Sequence, residues 1–148
     1  ANALVEMGCF QVSLGDTLGT GTPGMVTTLI ESLTKEIPVT RLAGHFHDTY
    51  GQGLANVLAS MQLGVTTFDS SVAGLGGCPY APGASGNLAT EDLLYMLDGM
   101  GIETGVSIDS IMDTVGFISR QLKRPLSSKV SQALTNKPAG REDQPHPL

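Results

Sequence analysis

The sequence predicts an α/β fold, a partial (β/α)8 TIM barrel made of its C-terminal three βα units plus extra helices. Three observations carry this expectation. Short β-like runs recur at 10–17 (FQVSLGDT), 41–49 (RLAGHFHDT) and 65–73 (VTTFDSSVA). Each is followed by a segment of helical period, and strand–helix alternation means βαβ units around a parallel sheet. Polar residues gather where the runs end: Asp16 on the first, His45, His47 and Asp48 on the second, Asp69 with two serines on the third. In parallel α/β folds that edge binds ligands. A full barrel takes about 250 residues, whereas this chain has 148. The choice lies between a small open sheet and roughly the last three-eighths of a barrel. The chain opens on Ala1, inside what reads as a structured segment. That favours the barrel and predicts a fragment or processed piece.

The helices follow in order. After the first run, Met25, Val26, Leu29, Ile30 and Leu33 fall at helical spacing. Thr22 suits the cap, Pro23 the first turn and Pro38 the stop. After the second run, Leu54, Val57, Leu58 and Met61 line one face, and Gly64 suits the C-terminal cap. A glycine-rich loop follows the third run, then a helix from Thr90 to Gly99. Ser107 opens a further amphipathic helix whose stripe is Ile108, Ile111, Met112, Val115 and Ile118. The segment SSKVSQAL adds a short helix. Residues 1–134 are expected to form one domain, the C-terminal portion of the barrel, and 135–148 a disordered polar tail.

Composition narrows the function. A net charge of −6 argues against nucleic acid as a partner. The sequence holds no apolar run of the roughly 18 residues a membrane helix needs, and no signal-peptide pattern. Two cysteines, Cys9 and Cys78, are too few for a disulfide scaffold and suit a reducing cytoplasm or mitochondrial matrix.

The sharpest constellation is His45-Phe46-His47. On a strand, side chains at i and i+2 share a face, so two imidazoles with Cα atoms about 7 Å apart converge on one divalent cation. The alternative is a pair that only hydrogen-bonds core or rim groups. Asp16, before a Gly-Thr-Gly-Thr turn, either stiffens that turn or places a carboxylate in the metal site. Asp48 is expected to cap the following helix rather than support the histidines. Cys78 stands in Gly-Leu-Gly-Gly-Cys-Pro, among glycines that make poor core. A thiol there suits proton transfer or nucleophilic attack. Cys9 is expected to be structural. Asn87 either caps the next helix or offers its amide oxygen to a hard cation. The loop lacks the Lys-Ser/Thr ending of a phosphate-binding loop, and His146 lies in the tail.

These segments resemble one family. SVAGLGGCPYAPGASGN is similar to the active-site signature of 3-hydroxy-3-methylglutaryl-CoA lyases, and SLGDTLGTGTPG, HFHDTYGQGLAN, NLATEDLLYML and SSKVSQA to other blocks of it. Related isopropylmalate synthases carry Asn-Asp after the second histidine, where this chain has Asp48-Thr49. The resemblance implies metal-dependent cleavage of 3-hydroxy-3-methylglutaryl-CoA to acetyl-CoA and acetoacetate, a step of leucine degradation and ketone-body formation. It implies His45, His47 and Asn87 as ligands of Mg²⁺ or Mn²⁺, Cys78 as the catalytic loop cysteine, and Asp16 and His45 in the catalytic centre. The partner it implies is a small-molecule acyl-CoA, and the full-length protein is expected to be a homo-oligomer. The family's Asp-Arg pair on the first strand and an early Glu have no counterpart here, so the isolated piece is expected to be inactive. Two alternatives remain: another metal-dependent acyl-CoA aldol or Claisen enzyme, and a non-catalytic binding fragment.

Overall fold

Strand alternation decides how this chain is layered. The computed structural model describes residues 1–77, 86–123, 126 and 128–136. The elements are α1 (Asn2–Glu6), β1 (Val12–Asp16), α2 (Pro23–Leu33), β2 (Leu42–Phe46), α3 (Gly53–Gln62), β3 (Phe68–Asp69), α4 (Thr90–Gly99), α5 (Ile108–Leu122) and α6 (Lys129–Thr135). Among the described residues one three-stranded sheet runs β1-β2-β3, both pairings parallel. In register, Gly15 faces His45 and His45 faces Asp69.

One face of the sheet is apolar and covered. Val12, Leu42 and Phe46 join Val26 and Ile30 of α2, Val57 of α3 and Leu93 and Leu97 of α4 in a buried core. The opposite face carries Ser13, Gly15, Ala43, His45 and Asp69. Two interstrand spacings, roughly 10 Å, separate β1 from β3. Yet Ser13 Oγ donates to Asp69 Oδ2 at 3.1 Å across β2, so the sheet bends towards this polar face. A second core lies beneath the turn at Val72–Gly74, where Ala73 packs with Val115 of α5 and Leu126.

Most of the expected helices form, and several of their details differ. Thr22 occupies the N-cap of α2, with Pro23 in the first turn, but its side chain accepts no capping bond. Met25 and Leu29 of the expected stripe are exposed. They line a groove of about 560 Å³ beside β1, together with Leu4, Val12 and Leu14. Gly64 follows α3 at φ 92°, as a left-handed C-terminal residue should. The α4 bounds agree with expectation, and Ser107 accepts from the Ser110 amide to cap α5. Ser128 caps α6 in the same way. The third β run shrinks to two residues, because only Phe68 and Asp69 pair with β2. Helix α1 was not anticipated. Cys9, expected to be structural, is free and exposed, since it precedes β1 in a turn outside the core. Helix α6 reaches Thr135, and the tail beyond Asn136 lies outside the described residues.

The core makes a stability prediction. Leu42 is 1% exposed and Phe10 86%. Leu42→Ala should lower folding stability by about 2–5 kcal/mol through lost burial and a residual cavity, and Phe10→Ser by no more than about 0.5 kcal/mol. Urea unfolding measures both; similar losses would contradict this packing.

Candidate active site and metal centre

The polar edge expected at the strand ends is assembled from four segments. Strand β2 ends in His45-Phe46-His47. Phe46 turns into the core, 4% exposed, and throws both histidines to the other face. Their ring centroids stand 5.3 Å apart, tilted by 59°. His45 is half exposed, with Nδ1 3.7 Å from Asp69 Oδ2, beyond hydrogen-bond range. His47 is buried, and its Nδ1 has no hydrogen-bond partner.

Asn87 joins them through an isolated bridge with His47. The Asp48 amide donates to the Gly86 carbonyl at 3.1 Å, and the Leu88 amide to the Phe46 carbonyl at 3.1 Å. These two bonds hold the segment after the glycine loop against the end of β2. Asn87 does not cap α4, whose N-cap is Ala89. Its Nδ2 donates to the Leu75 carbonyl at 2.9 Å, and its Oδ1 is buried without a partner. Glycine is required here: a Cβ on Gly86, at φ 105°, would collide with the carbonyl oxygens of Gly74 and Gly76.

Asp16 stiffens its turn. One carboxylate oxygen accepts from Thr20 N at 3.2 Å and the other from Gly21 N at 2.9 Å. It also lies near enough to His47 to favour protonation of that imidazole. The two possibilities left open for Asp16 are thus compatible. Asp48 caps as expected, its Oδ1 accepting from Gly53 N, the first residue of α3, at 2.7 Å. Cys78 and His146 lie outside the described residues.

Among the described residues no group of three or more His, Cys, Asp or Glu stands ready for a metal. The candidate set is two imidazoles and one amide oxygen. It still fits a divalent cation: His47 Nδ1 and Asn87 Oδ1 are buried without a hydrogen bond of good geometry, although Asn87 lies close enough to His47 to favour its protonation, and a ligand would satisfy both atoms. A cleft of about 300 Å³ is lined in part by Asn87, with Asp48, Thr49, Asp92 and Lys129, and by neither histidine. Thr49 adds a third buried atom of this kind, its hydroxyl oxygen.

Residues 1–118 match the family described as HMGL-like. The chain belongs to the HMGL-like family. It is 59% identical over 133 residues to a Mus musculus protein named hydroxymethylglutaryl-CoA lyase, mitochondrial, covering 90% of this chain and 41% of that one. A solved hydroxymethylglutaryl-CoA lyase from Pseudomonas aeruginosa superposes with a TM-score of 0.85 at 55% identity, over 89% of this chain and 44% of that one. An HMG-CoA lyase from Acinetobacter baumannii, solved with coenzyme A and 3-methylmalate, gives 0.84 at 35% identity, over 99% and 46%. The chain thus spans about two fifths of the length of the curated relatives it matches.

Thr49, Asn56 and Glu91 were not singled out from the sequence. Asn56 is fully buried on α3, and its Nδ2 donates to the Gly21 carbonyl at 3.0 Å. The signal was a polar residue inside the apolar run LANVLA. Glu91 sits in the first turn of α4, where an acid is ordinary on helix-dipole grounds, so nothing marked it as buried.

Burial first, and the neighbouring His45 second, hold the His47 pKa below its ordinary 6.5; Asp16 and Asn87 oppose them. A depressed pKa means that the unfolded chain takes up a proton near pH 6.5 while the folded chain does not. Without added metal, stability should be constant above about pH 7 and fall as pH drops below 6.5. His47→Gln should flatten part of that fall. Urea unfolding from pH 5 to 8 and NMR titration of the imidazole check this; a His47 midpoint at or above 6.5 contradicts it.

Proposed function

We propose that this chain is the C-terminal, metal-binding portion of a barrel enzyme that cleaves 3-hydroxy-3-methylglutaryl-CoA to acetyl-CoA and acetoacetate. The observation that carries this reading is the convergence of His45, His47 and the unpartnered Asn87 oxygen at the C-terminal end of β2. The names of its relatives supply the reaction. The bend of the sheet towards its polar face supports a partial barrel made of residues 1–134, with 135–148 as a tail. The mitochondrial label of the mouse relative agrees with one of the two expected compartments.

His45, His47 and Asn87 would hold the cation, and their mixed nitrogen and oxygen donors suit Mn²⁺ better than Mg²⁺. Bound there, the cation supplies Lewis acidity that lowers the pKa of a substrate hydroxyl. The protein supplies the rest. A depressed pKa keeps His47 neutral, which ligation requires. Asp16, fixed by two backbone amides, is a preorganised negative charge beside the site. It would take the proton from the tertiary hydroxyl. The carbon–carbon bond then breaks, its electrons passing to the thioester as an enolate while the alkoxide carbon becomes a ketone. The Cys78 thiol would return a proton to the enolate carbon, completing acetyl-CoA.

With three candidate ligands and an incomplete sheet, this chain alone is expected to show no turnover. The full-length protein should cleave 3-hydroxy-3-methylglutaryl-CoA in the presence of Mn²⁺. Cys78→Ala should lower kcat by about 10²-fold or more with cation affinity unchanged. Wild-type turnover of a different acyl-CoA would move the reading to a related aldol or Claisen enzyme. Metal uptake unaffected by His45→Ala and His47→Ala would leave a non-catalytic binding fragment.

A further inference from the structure

Helix α4 begins with Thr90-Glu91-Asp92, and each side chain reaches a different segment. The Thr90 hydroxyl hydrogen-bonds Ser70 at 2.9 Å, at the end of β3. Asp92 accepts from Ser128 Oγ at 2.7 Å and from Val130 N at 2.8 Å, at the start of α6. Glu91 is fully buried. One carboxylate oxygen accepts from Ala73 N at 2.9 Å, and the other has no partner. A buried acid half satisfied in this way is expensive, and neither the cation ligands nor the proton transfers above use it.

What Glu91 holds is the turn that orients Asn87. Ala73 sits at φ 58°, ψ 18°, a left-handed conformation that a residue with a Cβ seldom adopts. Its buried amide donates to Glu91 and would be orphaned without it. The turn continues with Gly74 N donating to Ser71 O at 2.9 Å and Leu75 N to Val72 O at 3.1 Å. Leu75 then presents its carbonyl to Asn87 Nδ2. That bond decides which end of the amide faces the histidines: with the nitrogen committed to Leu75, the oxygen is left on the side of His47. Gly76 closes the arrangement, since a Cβ there would stand 2.6 Å from Asn87 Nδ2.

We propose that Glu91 is a positioning residue for the metal centre, acting through the Ala73 amide and the Leu75 carbonyl to aim the Asn87 oxygen at the cation. The inference rests on the metal-site reading given above. Support of this kind is worth 10–100-fold in metal affinity where it has been removed from other sites.

The test is Mn²⁺ titration of the full-length protein by calorimetry, with Glu91→Gln and Glu91→Met compared. Glutamine keeps an oxygen for the Ala73 amide, so its affinity should stay within threefold of wild type. Methionine fills the same space without an acceptor and should bind Mn²⁺ 10–100-fold more weakly, with KM for the acyl-CoA unmoved. A second measurement needs no variant. Linkage is reciprocal, so Mn²⁺ should slow hydrogen exchange at the Ala73 amide of the wild type at least fivefold. Glutamine and methionine variants that bind alike, or Ala73 exchange indifferent to Mn²⁺, overturn the inference while leaving the metal site standing. A wild type that takes up no Mn²⁺ overturns the metal reading and the inference with it.

Discussion

The arrangement depends on the pleat of one strand. Phe46 is anchored among Val57, Leu88 and Leu97 in the apolar core, and that anchor fixes the direction of the residues on either side of it. A slip of one residue in β2 would send both imidazoles into the helix layer and Phe46 into the polar face. The register with β1 and β3 prevents this, pairing Leu14 with Gly44 and Gly44 with Phe68. Gly44 matters for the same reason: a Cβ there would press into the Phe46 and Phe68 rings. The chemistry on one side of the sheet is therefore set by hydrophobic packing on the other.

Around that strand the remaining groups are held mainly by backbone. Asp16 is gripped by two amides of its own turn, and Asn56 reaches from α3 to tie the same turn at Gly21. Asn87 is placed by ladder-like bonds to the end of β2 and by the turn at Val72–Gly74. Few of these contacts join one long side chain to another, so little rotamer freedom has to be frozen at the site. Rigidity of this kind suits catalysis that relies on preorganised charge.

The sequence was informative wherever periodicity or residue chemistry spoke directly. Alternation in RLAGHFHD placed both histidines on one face, and a serine cap located the start of α5. The run TEDLLYMLDG marked the bounds of α4. Features that depend on distant partners were silent. Nothing local says that Met25 and Leu29 stay exposed while Val26 and Ile30 of the same stripe are buried, because the difference lies in what flanks β1. Asn87 looked as much like a helix cap as a ligand, since both roles use one amide oxygen. The buried Glu91 meets the amide of a left-handed alanine, which no spacing rule encodes. The shortness of β3 likewise reflects its neighbours and not its own residues.

The groove beside β1 has a practical side. Strand β1 has its only described partner in β2, so its other side offers unpaired amides and carbonyls. Leu4, Met25 and Leu29 flank it with exposed apolar surface, and no lysine, arginine or proline stands within the strand itself to discourage unwanted pairing. Produced alone, such a polypeptide is prone to stack through this rim into insoluble assemblies. A lysine placed at Ser13 is the route to soluble material.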